Sequence, residues 1–72
     1  MGVKIDFDGK LLKMLMIEHG VTQTKLQDVT GVKQATISKY INGAVKNPDF
    51  GVIRTLAEYF SLHPNEFAKK PR

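Results

Sequence analysis

Apolar residues in this chain fall into short helical registers, each closed by a single glycine, a proline or a run of polar residues. From Gly9 to His19 no helix breaker intervenes, and Leu11, Leu12, Leu15 and Met16 fall on the side that a first helix would turn inward. Asp8 precedes it as an N-cap, Phe7 stands where an apolar residue staples onto Leu12, and Gly20 ends the helix. A second helix spans about Gln23 to Thr30, with Leu26 and Val29 three apart. A third spans about Gln34 to Asn42, with Ile37, Tyr40 and Ile41 at i, i+3 and i+4. Ala44 to Pro48 reads as a loop, because proline disfavours helix in the residue before it. Asp49 caps a fourth helix whose Ile53, Leu56, Ala57 and Phe60 make the clearest amphipathic stripe of the chain. Ser61 to Ala68 predicts a short fifth helix with Pro64 in its first turn, where a missing amide costs nothing. Residues 3 to 8 alternate apolar and charged, which fits a disordered arm, a strand pairing with another copy, or the lead-in to the first helix. Phe7 suits the third reading, and Val3 and Ile5 stay open.

The stretch from Thr22 to Gly43 carries the most information. Gly31 lies where the second helix must stop, and glycine takes the left-handed conformation of such a stop most cheaply. Val32 then turns inward, Thr22 offers an N-cap hydroxyl, and Gly43 closes the third helix as Gly31 closes the second. Two short helices around one tight glycine turn form a helix-turn-helix, which points to duplex DNA. With no strand expected in the core, the fold class is all-α: five short helices, the second and third being the helix-turn-helix. The chain divides into an N-terminal arm (1–8), the domain (9–68) and a basic tail (69–72).

Composition narrows the picture. A chain of 72 residues makes one small domain, burying roughly 60% of the surface it exposes when unfolded. Without cysteine there is neither a disulfide framework nor a thiolate metal site, which fits a reducing compartment. No apolar run approaches the roughly 18 residues of a membrane span, and Met1-Gly-Val-Lys-Ile-Asp lacks a signal peptide's apolar core. The expectation is a cytoplasmic protein, in a bacterial or phage-infected cell. The net charge of +4 is mostly tail: Lys69, Lys70 and Arg72 leave eight basic against seven acidic groups over residues 1–68. More telling is Val29 to Pro48, which holds Lys33, Lys39 and Lys46 and no acid. Such a local positive surface would meet phosphate, although a run of this kind is also what any solvated face carries. His19 and His63 have no cysteine or carboxylate cluster at ligand spacing, no nucleophile is paired with a base, and the six glycines are scattered singly. An enzyme, a metal, a cofactor and a small-molecule substrate are therefore not expected.

Gly20-Val-Thr-Gln-x-x-Leu26, Gly31-Val, Thr36-Ile-Ser-Lys39, Asn42-Gly43, Asn47-Pro48, Leu56-Ala57, Phe60-Ser-Leu62 and Glu66-Phe67 occur in register. In these residues the chain resembles the lambda-repressor-like, Cro and Xre type, DNA-binding domains of phage and bacterial regulators. The resemblance implies that the third helix enters the major groove while the second lies across the backbone. With Ile37 inward and about 100 degrees per residue, Ala35, Ser38, Lys39 and Asn42 face outward and Gln34 and Thr36 flank them. Gln34 can pair with adenine, Lys39 can donate to guanine, and the Ala35 methyl can pack on a thymine methyl. Lys33, Gln34, Ala35, Ser38 and Lys39 are the candidate base-contacting set. Thr22, Gln23, Thr36, Asn42, Lys46 and Asn47 are the candidate phosphate-contacting set, which positions the protein without reading sequence.

The chain also departs from the family pattern. Gln27 stands where the family usually has alanine at the close crossing of the second and third helices, so it must turn its stem aside or widen the crossing. Met16 and Ile41 replace a common arginine and glutamate pair, which avoids an unpaired buried charge. Ser61 replaces a glycine, a mild change. The function implied is a sequence-specific regulator of transcription, a repressor, bound as a homodimer to a pseudo-palindromic operator. The candidate dimer surface is Leu62, Pro64 and Phe67, with the alternative that Leu62 and Phe67 close the monomer core. The competing function is a protein-interaction module, an anti-repressor or adaptor, that keeps the fold with little or no DNA affinity.

Overall fold

The computed structural model describes residues 6–69, with side chains from Phe7 to Ala68. Its elements are β1 (Asp6–Phe7), α1 (Gly9–His19), α2 (Gln23–Thr30), α3 (Gln34–Ile41), α4 (Phe50–Tyr59), a 3-10 turn (Pro64–Phe67) and β2 (Ala68–Lys69). Each helix starts where a side chain can satisfy its free amides. Asp8 accepts from the Leu11 amide at 3.1 Å, Thr22 from Lys25 at 3.1 Å, and Asp49 from Gly51 at 2.7 Å. Gly20, Gly31 and Gly43 all take positive φ at the helix ends.

The α4 stripe is buried as its spacing predicts, with Ile53, Leu56, Ala57 and Phe60 all in the core. Leu12 and Met16 of α1, Leu26 of α2, Ile37 and Tyr40 of α3, and Phe7 and Phe67 complete it. Leu11, Leu15, Val32, Ile41 and Leu62 are half-buried and pack against this cluster. Val29 does not join: it is 44% exposed, so α2 meets the core through Leu26 alone among its apolar residues.

The C-terminal part corrects one expectation. The described residues form four α-helices, not five, because the segment expected to form the fifth makes only a four-residue 3-10 turn. Pro64 is accommodated at its first position, and His63 and Glu66 form a reciprocal cap in which His63 Nδ1 accepts from the Asn65 amide at 3.2 Å. The chain cannot continue as helix, since Ala68 turns to extended backbone and pairs with Phe7. The two-residue ladder sets Asp6 against Lys69 and Phe7 against Ala68, and the Asp8 amide donates to the Phe67 carbonyl at 2.7 Å. Lys69, assigned from sequence to the tail, therefore pairs with the N-terminal lead-in. Val3, Ile5 and the remaining tail residues lie outside the described residues.

Phe7 stacks on Phe67, with ring centroids 5.0 Å apart, and meets Tyr40 edge-on at 4.9 Å. This aromatic trio joins the ends of the chain to α3. Where α1 begins, the contact is closer still: a Cβ on Gly9 would clash with the backbone carbonyl oxygens of Ile41 and Tyr40. Glycine is required there by proximity, not by backbone conformation.

Candidate nucleic-acid interface

The helix-turn-helix is built from short-range hydrogen bonds. α2 ends as the Gly31 amide, at φ 79, donates to the Gln27 carbonyl at 2.8 Å. Thr30 then braces the turn: its hydroxyl donates to the Leu26 carbonyl at 2.6 Å and accepts from the Val32 amide at 3.1 Å. Lys33 occupies the N-cap position of α3 without a side-chain cap of its own. The missing acceptor comes from the other helix, as Gln27 Oε1 accepts from the Gln34 amide at 2.7 Å. The residue that appeared oversized in sequence turns its stem aside and caps α3 across the turn.

At its other end, α3 is closed by Gly43, whose amide donates to the Tyr40 carbonyl while that of Ala44 donates to Lys39. The buried Tyr40 hydroxyl accepts from the Asp49 amide at 2.7 Å, fastening the loop that carries Lys46 and Asn47 to the start of α4. Half-buried Val45 anchors the same loop from within. The helical register of α3 predicts Tyr40 only as a core residue. Its phenol gave the available signal, because a buried tyrosine oxygen needs a polar partner.

With Ile37 fully buried, Gln34, Ala35, Lys39 and Asn42 are exposed, Thr36 and Ser38 are half-buried, and Lys33 is exposed just ahead of the helix. Thr22, Gln23 and Asn42 come together around one cleft where α1, α2 and α3 meet. Lys46 and Asn47 are exposed in the loop between α3 and α4. The proposed dimer residues separate. Leu62 and Pro64 are half-buried, whereas Phe67 is 0% exposed and stacked on Phe7, so it closes the monomer core and offers no surface to a second copy. Pro64 instead shares a small notch with Phe50, which is 64% exposed, and with Ile53.

A capped helix-turn-helix, α2 and α3, held between α1 and α4 defines the class of protein, and comparison gives the family. The family model described as Helix-turn-helix matches residues 12–67, and the chain belongs to that family, of Cro/Xre type. The fold is similar to that in a crystal structure of a transcriptional regulator from Listeria innocua, with a TM-score of 0.74 and 26% identity. That match covers 97% of this chain and 64% of the regulator's, so the chain spans less than two thirds of that protein's length. Comparison with curated proteins gives no match.

Proposed function

We propose that this protein is a sequence-specific, double-stranded DNA-binding regulator of transcription that acts as a repressor by occupying its operator. α3 lies in the major groove, with Gln34, Ala35, Ser38, Lys39 and the preceding Lys33 at base edges. Thr22, Gln23, Thr36, Asn42, Lys46 and Asn47 hold the sugar-phosphate backbone on either side. The observation that carries this reading is the outward face of α3. It presents amide, hydroxyl, ammonium and methyl groups with no acid, on a helix whose first turn is fixed by Gln27. Family membership and the likeness to a transcriptional regulator support the same reading. The operator is a pseudo-palindrome bound by a homodimer, whose contact surface we assign to Phe50, Pro64 and Leu62. Its place of action is the compartment that holds the DNA, the cytoplasm.

A salt titration of binding to short duplexes tests the reading. With several phosphate contacts, the logarithm of affinity falls linearly with the logarithm of salt, at about 0.9 per phosphate. Failure to bind any duplex at low salt would contradict it and favour a protein-interaction module.

A further inference from the structure

The cleft between α1, α2 and α3 has a volume of about 390 Å³ and is lined on one side by Lys13, from a helix that the reading above leaves without a role. Thr22, Gln23 and Asn42 line the same cleft, and Ile17 forms an apolar lip to it. Ile17 is 71% exposed, so the core does not account for it. A second cleft of about 170 Å³ shares Ile41 and Asn42 with the first and is lined by Lys10 and by Asp8, whose carboxylate accepts from the Leu11 amide as the α1 cap. Lys10 and Lys13 stand three residues apart on α1, both exposed. Like charges at that spacing repel by about a few tenths of a kcal/mol, a cost that anions bound beside them would offset. Among the described residues, the only ion pair is Arg54 with Glu58, on α4.

We infer that α1 is part of the DNA interface: Lys13 and Lys10 each engage a backbone phosphate of the strand that passes the N-terminal end of α2, in the two clefts that share Asn42. Resting on the DNA-binding reading, this extends the contact surface beyond the helix-turn-helix. A sugar-phosphate strand alternates anionic and apolar groups. The first cleft matches that alternation, with Lys13, Thr22, Gln23 and Asn42 for the phosphate and Ile17 for the edge of a deoxyribose. The ligand is the backbone, so the contact adds affinity without sequence preference.

The test is a salt titration, between about 50 and 200 mM, of binding to a short mixed-sequence duplex and to a selected high-affinity duplex. Wild type is compared with Lys13→Gln, Lys10→Gln and Arg54→Gln. Each α1 variant should lower the magnitude of the salt slope by about 0.9 and weaken both duplexes by the same factor, while Arg54→Gln leaves the slope near wild type. Thermal melts confirm that these exposed substitutions leave the fold intact. Unchanged slopes in the lysine variants would overturn the inference, and so would an equal reduction in Arg54→Gln, which would mark an effect of global charge. If wild type bound no duplex, the underlying reading would fall and this inference with it; the other two outcomes leave the reading standing.

Discussion

The Gln27 side-chain oxygen accepts a hydrogen bond from the Gln34 backbone amide at 2.7 Å, joining the middle of α2 to the first residue of α3. A helix start leaves four amides unpaired, and here one of them is satisfied across the turn by the helix that must hold α3 in register. The bond therefore stabilises the fold and also fixes the orientation of the proposed base-reading residue.

Gln27→Ala should cost about 0.5–2 kcal/mol, the range for a lost cap, and speed hydrogen exchange at the Gln34 amide. It should also narrow the affinity ratio between a selected duplex and a mixed-sequence one. Gln27→Glu keeps an acceptor, so stability should be retained while the added negative charge weakens every duplex. Wild-type exchange and discrimination in Gln27→Ala would show that the bond does not position α3.

Ser61 has φ 58, and in this conformation its amide donates to the Glu58 carbonyl while that of Leu62 donates to Ala57. A side chain in the left-handed region is strained, so the substitution that looked mild in sequence carries a conformational cost. Ser61→Gly should stabilise by about 0.5–1 kcal/mol, less than the full strain because glycine also frees the unfolded chain. For a domain this small, that is a rise in melting temperature of several degrees. A lower melting temperature would contradict the account.

Gly9 works in the opposite sense, because its missing Cβ lets α1 approach the last carbonyls of α3. Gly9→Ala should destabilise by about 1–3 kcal/mol, as overpacking does, despite alanine's better helix propensity. A stability gain in thermal or denaturant unfolding would disprove the close approach.

Phe50 and Phe67 separate association from folding. Phe67→Ala should destabilise by about 3–5 kcal/mol, as for a buried aromatic. Phe50→Ser should leave the melt within about 0.5 kcal/mol of wild type, as surface changes do, and shift sedimentation on operator-length DNA from dimer toward monomer. A wild-type monomer on such DNA would remove the dimer assignment.

What was legible in sequence was whatever depends on near neighbours. The α4 stripe, the caps at Asp8, Thr22 and Asp49, and the turns at Gly20, Gly31 and Gly43 rest on steps of at most four residues along the chain. Contacts between distant residues were harder to read. Gln27 signalled only its size at a crossing, since no spacing rule shows that its oxygen meets an amide seven residues on. Val29 fitted the period of α2 but lies where nothing covers it. Phe67 and the lost fifth helix depend on the pairing of Ala68 with Phe7, at opposite ends of the chain. The cleft faced by Lys13 needs three helices at once, and charge counting along the sequence centred only on Lys33, Lys39 and Lys46.

Selection of bound sequences from a random duplex pool tests most directly the claim that α3 reads base edges. Wild type should enrich two related half-sites about 34 Å apart, one helical turn. Gln34→Ala should lose preference at one position in each half-site, at a cost of about 1–3 kcal/mol. Enrichment of no sequence by the wild type, or an unchanged preference in Gln34→Ala, would contradict it.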